Sequence, residues 1–139
     1  MEFMHQLDIL YDNLNIERIK KIKIYYPNET VLYPNKKYPL VIMVNGTGFE
    51  YFKYEPTLKH LSSRGLILAG NDEPSTTDGI SVINTLKYIL NLNNTNDNIF
   101  YNRIDVDRIG LSGHSQGGCG TFNTITNHGE FNLCFFSNN

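Results

Sequence analysis

Cysteine is scarce here: the 139 residues hold two, Cys119 and Cys134, too few for a disulfide framework. No Cys/His cluster stands at metal-ligand spacing, so no metal site is expected. Both cysteines are expected as small buried residues, one in a helix and one in a strand. Positive charge is thin as well. The net charge is -2, and no run of Lys and Arg is interleaved with aromatics, which argues against nucleic acid as a partner. No stretch approaches the eighteen or so consecutive apolar residues of a membrane span. The opening "MEFMHQLDILYDNLNIERIKK" carries early acidic residues and no apolar h-region, so it does not read as a secretory signal. A cytoplasmic location is expected for the chain as written, and a secreted one if a leader lies upstream of Met1.

What is present fits one domain over residues 1–139, with a hydrophobic share of 40% that allows one modest core. "NLNNTNDN" at 91–98 is nearly low in complexity. It is expected as a surface loop, because Asn side chains compete for backbone hydrogen bonds.

The segment Arg18 to Ile24 alternates Ile with Lys or Arg, the period-2 pattern of a strand with one wet face, and is placed at a sheet edge. Leu40 to Val44 is continuously apolar and β-branched, as a strand covered on both faces would be. Tyr51, Tyr54, Leu58 and Leu61 follow at helical spacing, with Pro56 marking the start of the helix proper and Gly65 its stop. "LILAGN" is a second buried strand. In "STTDGISVINTLKYILNLN", Ile80, Ile83, Leu86 or Lys87, and Leu90 form a helical stripe, with Thr76, Thr77 or Asp78 as the cap. "VDRIGLSG" then reads as a strand, "SQGGCGTFNTITNHG" as a short helix and "FNLCFF" as a last strand. Strands alternating with helices imply crossovers, hence an α/β fold with a mostly parallel sheet and helices on both faces.

Gly113-His114-Ser115-Gln116-Gly117 fits the pattern G-x-S-x-G. Its setting between a strand and a helix is the one that pattern needs: a tight turn projects the serine hydroxyl from the sheet, and glycines two residues before and after make room for it. The helix beginning beside Ser115 also directs unpaired N–H groups at the site. Acyl transfer requires two backbone N–H donors for the oxyanion, and the residue after the nucleophile, Gln116, supplies one. "VNGTG" at 44–48 follows the first buried strand and offers the second, at Thr47 or, next to it, Gly48, where glycine also lets backbone approach a substrate closely and makes the position a candidate substrate contact.

In order and spacing, "YPLVIMVNGTG", "LSSRGLILAGND", "TTDG" and "NRIDVDRIGLSGHSQGG" resemble the N-terminal half of an α/β-hydrolase, within it the chlorophyllase-like and polyester-hydrolase-like serine esterases. The resemblance spans roughly residues 17 to 136. It implies ester hydrolysis through Ser115, with Thr47 and Gln116 N–H groups holding the oxyanion and no cofactor.

The resemblance also implies a triad acid and histidine after the serine, and here the sequence departs from it. No Asp follows Ser115, and His128 and Glu130 come too early for the family positions. Without a base the serine hydroxyl is a weak nucleophile, so the chain alone is expected to be nearly inactive. It reads as a truncated, incomplete α/β-hydrolase domain whose other half lies in a longer product or a second chain. Of the other histidines, His114 is expected to pack and hydrogen-bond beneath the turn, His60 to lie on the helix surface, and His5 to lie in a loose terminus. Asp105 and Asp107 are expected in a turn, and Asp78 as a cap. Asp72, on the rim of Ser115, is a candidate substrate contact, with a capping or loop role as the alternative. Phe49 and Tyr51 are candidates for a pocket wall, with core packing as the alternative. A non-catalytic hydrolase-like binding module and a serine peptidase of the same superfamily are the competing functions.

Overall fold

A computed structural model describes residues 6–33, 35–46, 48–73, 78–114, 116–131 and 133–135. In chain order the elements are β1 (Gln6–Tyr11), β2 (Ile22–Pro27), α1 (Glu29–Leu32), β3 (Tyr38–Val44), a 3-10 turn (Tyr51–Tyr54), α2 (Glu55–Ser62), β4 (Ile67–Asn71), α3 (Ile80–Asn94), β5 (Ile104–Gly113), α4 (Gln116–Asn127), a second 3-10 turn (Gly129–Phe131) and β6 (Cys134–Phe135). The six strands form one sheet in the order β1-β2-β4-β3-β5-β6.

The expected mostly parallel sheet is corrected to a mixed one. β4, β3, β5 and β6 run parallel, whereas β2 is antiparallel to both β1 and β4. The edge assigned to Arg18–Ile24 is corrected too: β2 is interior, and β1, in a stretch expected to precede the first strand, takes the edge beside it. The reason lies in Tyr25 and Tyr26, which extend the apolar run past the alternating segment and are buried on opposite faces.

Helices do cover both faces, and the period of two shows it. Leu40, Ile42 and Val44 of β3 join Ile67 and Ala69 of β4 under Val82, Ile83, Leu86 and Ile89 of α3. Val41 and Met43, with Leu68 and Tyr25, turn to the other face and meet Leu58 of α2. Among the described residues the α3 face holds eighteen buried apolar residues and the α2 face five. Burying each such side chain contributes about 1.5–3 kcal/mol, so most of the stabilisation resides under α3.

The α3 stripe is rotated from the expected one. Ile83 and Leu86 are buried as expected, but Val82 and Ile89 replace Ile80 and Leu90. The asparagine loop is shorter than expected, since α3 continues to Asn94. Asn93 is buried, its side-chain carbonyl accepting from Ile104 N (2.9 Å) and its backbone carbonyl from Asn102 N (2.9 Å). These tertiary bonds override the low helix preference of Asn. Cys134 is exposed rather than buried, and the side chain of Cys119 lies outside the described residues. No helix among them is long and apolar enough to cross a membrane.

Candidate active site

Because β3, β4 and β5 are parallel, their carboxyl ends share one sheet edge, the place where open α/β sheets bind ligands. That edge gathers Asn45 and Gly46, then Asn71, Asp72 and Glu73, then Gly113 and His114. Ser115 and Thr47 lie outside the described residues, so the site is built from their neighbours.

The turn after β5 is tight because its glycines touch backbone. A methyl on Gly113 would stand 2.6 Å from the Gly117 carbonyl oxygen, and one on Gly117 would overlap the Val44 carbonyl oxygen at the end of β3. Two hydrogen bonds fix this approach: His114 N donates to Val44 O (3.1 Å), and Gly117 N donates to His114 O (2.8 Å). α4 therefore starts directly against the ends of β3 and β5. Gln116 is its first residue, where a helix N–H has no intrahelical acceptor.

The loop after β3 is open by contrast. Phe49 N closes a turn onto Gly46 O (3.1 Å), and Gly48 sits at φ +72° with nothing within 4 Å of where a methyl would stand. The loop is tethered by Tyr54, at the entry to α2. The Tyr54 hydroxyl accepts from Gly46 N (2.9 Å) and lies 2.8 Å from His114 Nδ1. Burial raises the Tyr54 phenol above its ordinary value, the Gly46 bond opposing this in part, so the hydroxyl keeps its proton. The hydroxyl either donates that proton to Nδ1 or accepts from an Nδ1–H, according to the His114 tautomer. Phe49 packs against His114 at 5.5 Å between ring centroids and against Tyr54 at 6.4 Å, and is 40% exposed at the rim.

Behind the rim lies a buried polar network. Asn45 Nδ2 faces Asn71 O (3.0 Å), Asn71 Oδ1 (3.1 Å) and Glu73 O (3.2 Å). Glu73 N also donates to Asn71 Oδ1 (2.9 Å), and Asn71 Nδ2 donates to Thr85 Oγ1 on α3 (2.9 Å). The network ties the loop after β3 to that after β4 and to α3. The sequence pattern alone does not single out Tyr54 as a site residue, nor Asn45, Asn71 and Glu73. Their one available signal is an Asn closing each of two apolar strands, in "MVNG" and "LAGND".

The remaining candidates are spread out. Asp72 Oδ1 accepts from Lys20 N (3.1 Å) and Lys21 N (3.2 Å), which braces the segment before β2. Tyr51 is half-buried in the 3-10 turn, its ring 5.9 Å from that of exposed Phe52. Asp78 Oδ1 accepts from Ile80 N (3.1 Å) at the start of α3, and Asp78 also pairs with Arg18; Thr76 and Thr77 lie outside the described residues. Asp105 and Asp107 form a bulge within β5, where Asp107 N donates to Asp105 Oδ1 (3.1 Å) and the pairing with β3 slips. His60 is in the last turn of α2 and exposed. His128 follows the end of α4, its Nδ1 3.1 Å from Glu130 Oε1. A helix of that length puts this pair about 18 Å from the turn at its other end. His5 lies outside the described residues. Beneath Tyr54 a cavity of about 40 Å³ beside Met43, Leu58 and Ser112 has room for a water or two. A groove of about 230 Å³ opens at the opposite end of the strands, beside Asp107 and Cys134.

Comparison with known proteins bears on what this edge does. A family model described as PET hydrolase-like matches residues 20–134, which include every strand from β2 onward to Cys134 and the whole of the edge above. No curated protein matches the chain.

Proposed function

Since the chain belongs to the PET hydrolase-like family of the α/β-hydrolase superfamily, a family of ester hydrolases, we propose that it is a serine esterase working through an acyl-enzyme at Ser115. The observation that carries this reading is the contact of Gly113 and Gly117 with each other and with Val44, the close packing that a strained serine turn demands. In the proposed reaction Ser115 Oγ attacks the ester carbonyl carbon while a histidine takes its proton. The oxyanion is held by the N–H groups of Gln116 and of Thr47 or Gly48. The C–O bond to the alcohol then breaks with return of the proton, and water releases the acid by the same steps in reverse order. Phe49 lines the entrance.

The activating histidine and acid are assigned to positions outside the described residues, because among these His60 is exposed in the last turn of α2, His128 is at the far end of α4 from the turn and His114 is engaged by Tyr54. The same placement favours a second reading, a ligand-binding module without turnover. A fluorophosphonate that reacts with activated serines separates the two in the whole gene product. Labelling at Ser115, lost with hydrolysis of a short activated ester in Ser115→Ala, supports the esterase. Hydrolysis that survives this substitution would sink it, and absence of any labelling favours the binding module.

A further inference from the structure

We propose that the Tyr54 hydroxyl is a positioning group that sets the separation between the oxyanion loop and the serine turn, an inference that rests on the esterase reading. One oxygen reaches both segments. It accepts from Gly46 N, immediately before Thr47, and bonds His114 Nδ1, immediately before Ser115. Apart from the turn that Phe49 N closes on Gly46 O, the oxyanion loop has no comparable internal fastening among the described residues, and Gly48 stands in open space.

The neighbours are shaped around this contact. A methyl on Gly46 would come within 2.7 Å of His114 Nδ1, so the loop can approach the imidazole only as glycine. Phe49 leans on both rings. Tyr54 itself is steady because it sits at the entry to α2, and Glu55, the next residue, is pinned to β2 through Tyr25 and Lys23. An oxyanion donor acts only if it is already in place when charge develops, and a displacement of about 1 Å can cost on the order of 100-fold in rate. A hydroxyl that fixes the loop against the turn therefore acts on the chemical step without touching substrate.

Tyr54→Phe keeps the ring and deletes the oxygen. In the whole gene product its Gly46 amide should exchange with solvent at least about ten-fold faster, and the His114 Nδ1 signal should shift in nitrogen NMR as its hydrogen bond is lost. The fluorophosphonate rate at Ser115 and kcat for a small ester should fall about ten- to a hundred-fold with KM nearly unchanged. His114→Phe should cause a similar fall, and the double variant no fall beyond that of Tyr54→Phe, because each breaks the same link between the two segments. Gly46 exchange that stays at the parent rate in Tyr54→Phe, or effects that multiply in the double variant, overturns the proposal. If Gly46 is released but the parent protein never takes the probe, the esterase reading fails while the coupling between the two segments stands.

Discussion

The turn after β5 and the loop after β3 leave the same sheet edge on adjacent strands, yet Gly48 of the loop serves a different purpose from the glycines of the turn. Gly113 and Gly117 are required by contact: backbone lies where a methyl would go. Gly48 is required by conformation: a methyl would meet nothing, but φ is +72°. The first turn is held chiefly by backbone, through the hydrogen bonds that Gly117 N donates to His114 O within it and His114 N to Val44 O of β3, and by α4 seated against both strands. The second is held from outside, by Tyr54 in front and by Asn45 behind. A serine turn must be rigid, whereas a loop bordering a substrate has to combine placement with access.

Three substitutions test that contrast by urea denaturation, in falling order of effect. Gly117→Ala should cost about 3 kcal/mol or more, since the clash is with backbone that cannot move aside. A loss under about 1 kcal/mol would mean that α4 is not seated against β3. Asn45→Ala should cost about 2 kcal/mol, because it removes a buried donor that faces Asn71 Oδ1 and the Glu73 carbonyl. Gly48→Ala should cost about 1 kcal/mol through φ alone. Should it exceed Gly117→Ala, the distinction between contact and conformation is wrong.

The same contrast marks what the sequence discloses. The β3 and β4 strands are legible because each is a short apolar run bounded by turn residues, and the end of β5 because it leads into the serine motif, whose spacing is local. β1 is not, since "QLDILY" has only a partial alternation and becomes a strand by pairing with β2. The antiparallel direction of β2 is likewise set by partners distant in sequence. Asp72 shows the limit at the site. Its place at a strand end suggests a substrate contact, but the Lys20 and Lys21 amides whose hydrogen bonds it accepts lie 52 and 51 positions away in the chain. Tyr54 is visible as one apolar member of a helical stripe, and nothing local marks its hydroxyl as shared between two loops.

The smallest expected effect is one of pH. The external tether of the β3 loop depends on α2, and α2 depends on Glu55, which accepts from Tyr25 Oη (2.7 Å) and pairs with Lys23 (3.1 Å) and Lys59 (3.2 Å). The Tyr25 bond, then the two lysines, hold the Glu55 carboxyl down to about 2 from its ordinary 4.5, against some opposition from burial. A group whose folded value lies below its unfolded one stabilises the fold above the unfolded value, and that contribution is lost as pH falls through the folded one. Between pH 4.5 and about 2 the anchoring of α2 should therefore weaken, while the hydrogen bonds at Gly117 contain no titrating group. Amide exchange followed down this range, corrected for the intrinsic pH dependence, should show Gly46 and Phe49 losing protection before Gly117. In Glu55→Gln the difference between the two sites should already be present at neutral pH and change little on acidification. Simultaneous loss at all three amides would mean that the two turns are one cooperative unit, and that the external tether is no weaker than the backbone bonds of the serine turn.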